Sequence, residues 1–219
     1  MKERPILFSA PMVRAILTDA KTQTRRIVGP QQPKPSTSDP YELELTERDG
    51  TVTCYTREQF VAAKCRYGQV GDRLWLRETH AQFSVGEGMD RPVPQCVAYR
   101  ASCDDDSFTY VNGRGAIMQL RVVKWTPAIH MPRWASRITL EITDIRVQPL
   151  HEISDADARA EGIDLGIQQQ CTVNGEPGHV AFFNARTAFA YLWDSVNGKR
   201  APWKSNPWVW TVTFKRIEQ

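Results

Sequence analysis

The sequence predicts a mixed α+β domain built on a small β-barrel, with flanking helices and two loop insertions. Two long segments, 138–147 and 209–217, alternate apolar with polar residues at period two, as half-buried strands do. Helical periodicity is confined to a few short segments, and the final predicted element is a strand. This order favours a small mixed barrel over a doubly wound parallel sheet, in which strands and helices would alternate.

The length and composition fit a single domain that spans residues 1–219. The chain is 41% hydrophobic and 24% charged, which is ordinary for a globular protein. No apolar run approaches the roughly 18–20 residues of a membrane span, and no signal-peptide pattern is present. The five cysteines lack C-x-x-C spacing, and the four histidines are far apart in the sequence. We therefore expect a cytoplasmic protein with reduced thiols, no membrane contact, no metal and no cofactor.

The first predicted elements are a strand and a short helix. Pro5–Ser9 is an apolar run that fits a first strand. Ser9-Ala10-Pro11 then has the capping residue and early proline of a helix start. The apolar residues that follow have helical spacing, so the helix should end near Asp19.

Two irregular regions interrupt the pattern, at about 29–60 and 84–115. The first opens with three prolines among Ser, Gln and Thr residues, and we expect an exposed loop there. The second contains paired prolines, an acidic run and several glycines. Between them, Val70–Arg73 predicts a turn into the strand Leu74–Leu76. Both irregular regions are therefore interpreted as insertions.

The second half of the chain contains the clearest signals. The segment 138–147 predicts a long strand, and Ser154 should begin a helix that Gly162 ends. Phe182–Asp194 predicts a second helix, and 209–217 predicts the closing strand. The C-terminal tryptophans are either a stacking platform or, for at least one of them, part of the core: Trp203, Trp208 and Trp210.

The charge is modest in total and uneven along the chain. There are 28 basic and 25 acidic residues, a formal net charge of +3. Both ends of the chain are basic, whereas segment 152–176 is acidic. This distribution permits nucleic-acid binding without requiring it, and the competing interpretation is a set of solvated faces.

The segment Lys21–Arg26 has the residue types for nucleophilic chemistry. It follows directly on the first predicted helix, and the turn there can bring the Lys21 amine towards Thr24. A lysine with a lowered pKa can activate a hydroxyl nucleophile. The alternative is a basic strand edge that discourages sheet pairing.

The order of several short motifs resembles the activating signal cointegrator homology (ASCH) domain, a branch of the PUA-like barrels. That family has a helix followed by a G-x-K-T-x-[ET]-x-R-like segment, and Asp19 stands at the glycine position here. Aspartate tolerates the left-handed conformation better than most residues, so the turn can survive. The resemblance covers most of the chain outside the two insertions, and it is closest to larger phage- and prophage-associated versions. The matching segments are Lys21, Thr22, Thr24 and Arg26, then 71–74, 77–78, 129–138, 160–163 and 206–210.

The resemblance implies a catalytic group of Lys21, Thr24 and Glu161. A small bacterial ASCH protein removes the acetyl group from N4-acetylcytidine with a lysine, a threonine and a glutamate. Carried over by motif, Thr24 is the nucleophile, Lys21 its base, and Glu161 orients the base or carries the proton to the leaving amine. The alternative for Glu161 is a solvated carboxylate near a helix end.

Other residues are predicted to bind the substrate. Arg26 is expected either to donate to an anion or oxyanion or to pair with Glu78. His130, Arg133 and Trp134 together have the chemistry to stack a base and hold a phosphate. Their alternative is a proline-bent loop with a packed tryptophan. The predicted substrate-binding set is Arg26, Arg77, Glu78, His130, Arg133 and Trp134.

Three functions remain open from the sequence. The first is an amidohydrolase acting on a modified pyrimidine nucleoside. The second is a module that binds RNA or a modified base without catalysis. The third is a phage protein that contacts the host or has a structural role. A fold cannot choose among them, because function resides in the site.

Overall fold

The protein is an α+β domain dominated by sheet. The computed structural model describes residues 1–29, 33–37, 42–47, 49–83, 96–103, 106–111, 117–122, 124–165, 170–173 and 176–217. The helices are α1 (Ala10–Leu17), α2 (Arg57–Lys64), α3 (Asp155–Ala160) and α4 (Ala185–Asn197). The strands are β1 (Glu3–Leu7), β2 (Gln23–Ile27), β3 (Lys34–Pro35), β4 (Glu42–Thr46), β5 (Val52–Thr56), β6 (Arg73–Arg77), β7 (His80–Phe83), β8 (Cys96–Tyr99), β9 (Ser107–Val111), β10 (Ile117–Arg121), β11 (Thr139–Pro149), β12 (Ile163–Leu165), β13 (Gln170–Val173), β14 (Glu176–Ala181) and β15 (Trp208–Ile217).

A five-stranded mixed sheet forms the centre, in the order β1-β6-β11-β15-β2. Only β1 and β6 are parallel, and the other neighbours are antiparallel. The two long alternating segments of the sequence become β11 and β15, which pair along nearly their whole length. The prediction of a mixed sheet rather than a doubly wound parallel one is therefore confirmed.

The central sheet curls, although its edge strands do not pair. Edge strands β1 and β2 approach each other through Arg26, whose Nη2 donates to the Leu7 carbonyl oxygen at 2.5 Å. The next residue, Phe8, packs on Phe214 of β15 with ring centroids 6.1 Å apart. Since no β1–β2 ladder exists among the described residues, the sheet is barrel-like without being a closed barrel.

The first insertion contributes to the core, which corrects the prediction of a loop insertion at about 29–60. Within 29–60, β3, β4 and β5 form a three-stranded sheet. Leu43, Leu45 and Phe60 are buried in the main hydrophobic cluster. The Phe60 ring stacks on Trp210 with centroids 5.3 Å apart, which places that tryptophan in the core. Proline and serine content signalled a loop, but the alternating leucines of β4 decided the structure.

A second apolar cluster joins α3 and α4 to the back of β15. Its buried residues include Ala158 of α3, Phe189 and Trp193 of α4, and Val209 of β15. Ser154 caps α3 in a capping box with Asp157, and Gly162 follows with a φ of 93°. Helix α4 begins at Ala185 rather than at the predicted Phe182, because the Asn184 side chain accepts from the Thr187 N–H as an N-cap.

The second insertion is described only in part. Of 84–115, residues 84–95, 104–105 and 112–115 lie outside the described residues. The remainder forms β8, a short 3₁₀ turn and β9. In the parts of the chain that the structure describes, none of the helices has the length and apolar character needed to cross a bilayer.

Candidate active site

A cavity of 480 Å³ opens where β2, α4 and the end of α3 meet. That volume lies in the roughly 300–1,000 Å³ range typical of small-molecule sites. Thr24, Arg26 and Glu161, three of the predicted site residues, are in its wall. Of the residues that the structure describes, those in the lining are Met12, Thr24, Arg25, Arg26, Ile27, Gly29, Arg66, Tyr67, Glu161, Phe189, Leu192, Trp193, Val196, Asn197 and Arg200.

Backbone hydrogen bonds fix the position of Lys21 between α1, α3 and β15. Its N–H donates to the Ala15 carbonyl at 3.0 Å, at the end of α1. The next residue, Thr22, donates to the Ala160 carbonyl and accepts from the Phe214 N–H, both at 2.9 Å. Asp19 turns the chain into this segment with a φ of 57°, the left-handed conformation expected for the glycine position.

The Lys21 side chain is buried and bonded to Glu161. Its Nζ donates to Glu161 Oε2 at 2.6 Å and to the Glu161 backbone carbonyl at 2.8 Å. Lys21 is 2% exposed and Glu161 is 4% exposed. The alternative of a solvated Glu161 carboxylate is therefore wrong. Two segments that carry the motif resemblance, Lys21–Arg26 and 160–163, are far apart in the sequence and meet in this buried pair.

Two residues that the sequence analysis missed complete the charge cluster. Arg25 Nη1 lies 3.4 Å from Glu161 Oε1, and Arg25 Nη2 lies 3.2 Å from Asp157 Oδ2. The Glu161 carboxylate is thus held on both oxygens, by Lys21 on one and by Arg25 on the other. Arg25 lies within the matching segment Lys21–Arg26, but it is not one of the positions that carry the resemblance. One cation on each oxygen fixes the Glu161 carboxylate in one orientation.

Burial lowers the pKa of Lys21 below its ordinary value of 10.5. The adjacent Glu161 carboxylate opposes this change, while the positive charges of Arg26 and Arg25 add to it. Desolvation disfavours the ammonium form, and like charges disfavour it further. The site therefore makes the neutral amine of Lys21 easier to reach than that of an exposed lysine.

Thr24 and Arg26 line the cavity from alternate positions of β2. Thr24 is 3% exposed and pairs with Val212 of β15. The Arg26 guanidinium lies over the Phe8 ring, 5.1 Å from its centroid, and bonds to the Leu7 carbonyl. The pair with Glu78, one of the two alternatives for Arg26, is not formed. The contacts with Phe8 and with the Leu7 carbonyl hold Arg26 at the junction of β1 and β2.

Glu78 has a different partner and lies outside the cavity lining. Arg137 Nε and Nη2 bind its two carboxylate oxygens at 2.9 and 3.1 Å. The Arg137 guanidinium also lies 4.0 Å from the centroid of Tyr99. Burial raises the pKa of Glu78, and the Arg137 ion pair opposes that shift. Arg77, the preceding residue, donates to the Ile129 carbonyl and stacks on Trp75.

The segment 130–134 also lies outside the cavity lining. His130 is exposed, and Arg133 forms an ion pair with Glu3, Nε to Oε2 at 2.9 Å. Trp134 is 54% exposed, so the alternative of a packed tryptophan is wrong. The structure thus groups Lys21, Thr24, Glu161 and Arg26, and places the other five predicted binding residues elsewhere. Their role in substrate binding stays a prediction.

An aromatic wall was not anticipated from the sequence. Tyr67, Phe189 and Trp193 line the cavity, and the Arg25 guanidinium lies over the Phe189 ring, 5.8 Å from its centroid. Phe189 and Trp193 are buried residues of α4, within the predicted helix segment 182–194. The sequence lacked a signal that these residues border a cavity, because that depends on how α4 packs on β2.

Comparisons of the chain with models of known protein families, with curated proteins and with solved structures find no match.

Proposed function

We propose that the protein is an ASCH-type, PUA-like amidohydrolase that removes an acyl group from a modified pyrimidine nucleoside, with N4-acetylcytidine as the reference substrate. One observation carries the proposal: the buried Lys21–Glu161 pair adjoins a cavity whose wall contains Thr24. The short motifs quoted above support the same group. The curled five-stranded sheet is compatible with the barrel that the resemblance implies.

In the acylation step, Thr24 Oγ1 attacks the amide carbonyl carbon while the neutral Lys21 amine takes the hydroxyl proton. The resulting oxyanion intermediate collapses, the C–N bond breaks, and the leaving amine receives that proton through Lys21 and Glu161. A water molecule then hydrolyses the acyl-Thr24 ester with the same base. Threonine is a weak nucleophile unaided, so the lowered pKa of Lys21 supports this assignment.

The cavity walls suit a flat polar ligand. The rings of Tyr67, Phe189 and Trp193 provide apolar surface for a base, and stacking of this kind is worth roughly 1–3 kcal/mol per base. Arg26 also lines the cavity, and its guanidinium is a donor for a carbonyl or oxyanion oxygen. Convergent polar groups beside aromatic rings suit a ligand that combines a flat ring with hydrogen-bonding atoms.

The experiment is hydrolysis of N4-acetylcytidine by the purified protein, with cytidine and acetate measured by chromatography. An acyl-enzyme should be trapped at short times as one added acetyl group on Thr24. Thr24→Val should abolish both signals, while Thr22→Val, a matched change outside the cavity lining, should retain them. Absence of conversion for every acylated cytidine tested would overturn the proposal.

Binding without hydrolysis is the second candidate, and one observation favours it. The Lys21 amine already donates two hydrogen bonds to Glu161, which is the arrangement of an ammonium ion rather than of a base. In that case cytidine derivatives would bind and be released unchanged. Thr24→Val would then alter the dissociation constant and nothing else, which calorimetry detects.

A further inference from the structure

A second cavity adjoins the candidate active site and shares a wall with it. The neighbouring cavity measures 430 Å³ and lies between the end of β2 and the turn before β15. Ile27, Gly29 and Arg200 line both cavities. An added Cβ at Gly29 would lie 3.5 Å from Arg200 Nη2, so the guanidinium passes close over the Gly29 backbone. Arg200 therefore stands at the boundary of the two spaces.

The boundary carries positive charge that the described protein does not neutralise. Among the described residues of the two linings, Glu161 is the one acid, and Lys21 and Arg25 already hold it. The Arg200 guanidinium is exposed and has no ion pair with any described residue. Arg66, which lines the first cavity, is also exposed; its guanidinium lies over the Tyr67 ring, 5.2 Å from the centroid, and has no ion pair with any residue that the structure describes. A ligand that spans the boundary thus meets unpaired guanidinium groups.

We infer that Arg200 binds a phosphate group attached to the ribose of the nucleoside in the Thr24 cavity, so that the preferred substrate is a ribonucleotide and not a free nucleoside. This inference rests on the proposed function. Guanidinium groups match phosphate oxygens in geometry and charge. The second cavity continues beyond Arg200, with Pro202, Pro207 and Trp208 in its wall, and leaves room for a neighbouring nucleotide.

The phosphate has two sources, a mononucleotide or an RNA chain, and the substrates distinguish them. N4-acetylcytidine, its 5′- and 3′-monophosphates and a short single-stranded oligoribonucleotide with one N4-acetylcytidine are compared by kcat/KM. At least one phosphorylated substrate should exceed the nucleoside by roughly 10- to 100-fold, as a charge-assisted hydrogen bond implies. A preference for the oligoribonucleotide over both monophosphates assigns the second cavity to RNA. A preference for a monophosphate assigns the phosphate to a mononucleotide, and the second cavity then holds no neighbouring nucleotide.

The decisive variant is Arg200→Ala, with Lys199→Ala as its matched control. Lys199 is the adjacent exposed cation and lines neither cavity. Arg200→Ala should bring the ratio of phosphorylated to free nucleoside kcat/KM close to one, whereas Lys199→Ala should keep it. Equal kcat/KM values in the wild type, or a ratio that survives in Arg200→Ala, would overturn the inference.

A binding measurement separates this inference from the proposed function. Calorimetry compares cytidine, cytidine 5′-monophosphate and cytidine 3′-monophosphate at two salt concentrations. If no substrate is hydrolysed but a monophosphate still binds more tightly through Arg200, the amidohydrolase proposal fails and the phosphate site stands. If the nucleoside is hydrolysed without any gain from phosphate, the phosphate site fails and the amidohydrolase stands.

Discussion

Lys21 and Glu161 are 140 positions apart in the sequence, yet Lys21 Nζ lies 2.6 Å from Glu161 Oε2 in the protein interior. Two buried charges in such contact stabilise each other only while both are present. The same pair is thus a structural tie between α1, β2 and α3 and the chemical centre of the proposed function. The variants below separate these two roles.

Glu161→Gln is expected to lose both activity and stability. The rate should fall by roughly 10²–10⁴, the usual worth of a general acid or base. The free energy of unfolding should fall by about 3–5 kcal/mol, because the change removes one partner of a buried ion pair. Activity assays and chemical denaturation measure the two effects.

The double variant Lys21→Met/Glu161→Gln is the control for these two roles. Without the buried ammonium group, it should be more stable than Glu161→Gln while remaining inactive. If Glu161→Gln melts like the wild type, the buried pair described here is contradicted.

Thr24→Val and Thr24→Ser should differ sharply. Valine keeps the branching of the side chain but removes the hydroxyl, so turnover should disappear, and a thermal melt checks that the variant folds. Serine keeps the hydroxyl and should retain measurable turnover. Single-turnover kinetics on both variants test this, and equal activity of the two would remove Thr24 as the nucleophile.

The rate should rise with pH as Lys21 loses its proton. Burial lowers the pKa of Lys21, so the midpoint of the kcat/KM profile should lie below the ordinary lysine value of 10.5. Arg26→Gln removes a positive charge that lowers this pKa, and the midpoint should move to higher pH. A rate that falls as pH rises through this range is incompatible with Lys21 as the base.

Stability should depend on pH through Glu78. Burial raises the pKa of Glu78 above 4.5, so its contribution is fully present below about pH 4.5 and is lost as pH rises through the folded-state value. The difference in unfolding free energy between wild type and Glu78→Gln should therefore decrease with rising pH.

Glu3→Gln provides the control with the opposite sign. The Arg133 hydrogen bond lowers the pKa of Glu3, so its contribution is present at higher pH and lost as pH falls. Denaturation curves of both variants between pH 3 and 7, the range spanning roughly the carboxyl pKa values, measure the two slopes. Slopes of the same sign would contradict the two environments.

Asp19→Ala and Asp19→Gly test the left-handed turn. With φ at 57°, alanine should cost roughly 1 kcal/mol of unfolding free energy, whereas glycine should be neutral or stabilising. The Asp19–Arg216 pair adds little, since the Asp19 side chain is 71% exposed. Thermal melts of the two variants decide this, and identical melting temperatures would argue against strain at this position.

The sequence by itself determined the local elements and the residue types of the segment Lys21–Arg26. Period-two alternation predicted β11 and β15, and the capping signals at Ser154 and Gly162 predicted α3. The segment with Lys21 and Thr24, singled out by its residue types and by the resemblance, borders the cavity. These signals are local, because strand pleating and helix capping depend on residues a few positions apart.

Only the tertiary structure decided which distant residues meet. The sequence left Arg26 open between an anion or oxyanion and Glu78, and the curl of the sheet gives Arg26 the Leu7 carbonyl and leaves Glu78 to Arg137. It likewise left Glu161 open between a solvated and a catalytic carboxylate, and the packing of α3 on Lys21 buried it. Burial, pairing and the cavity beside Arg200 depend on how whole elements pack, and no short sequence window contains that information.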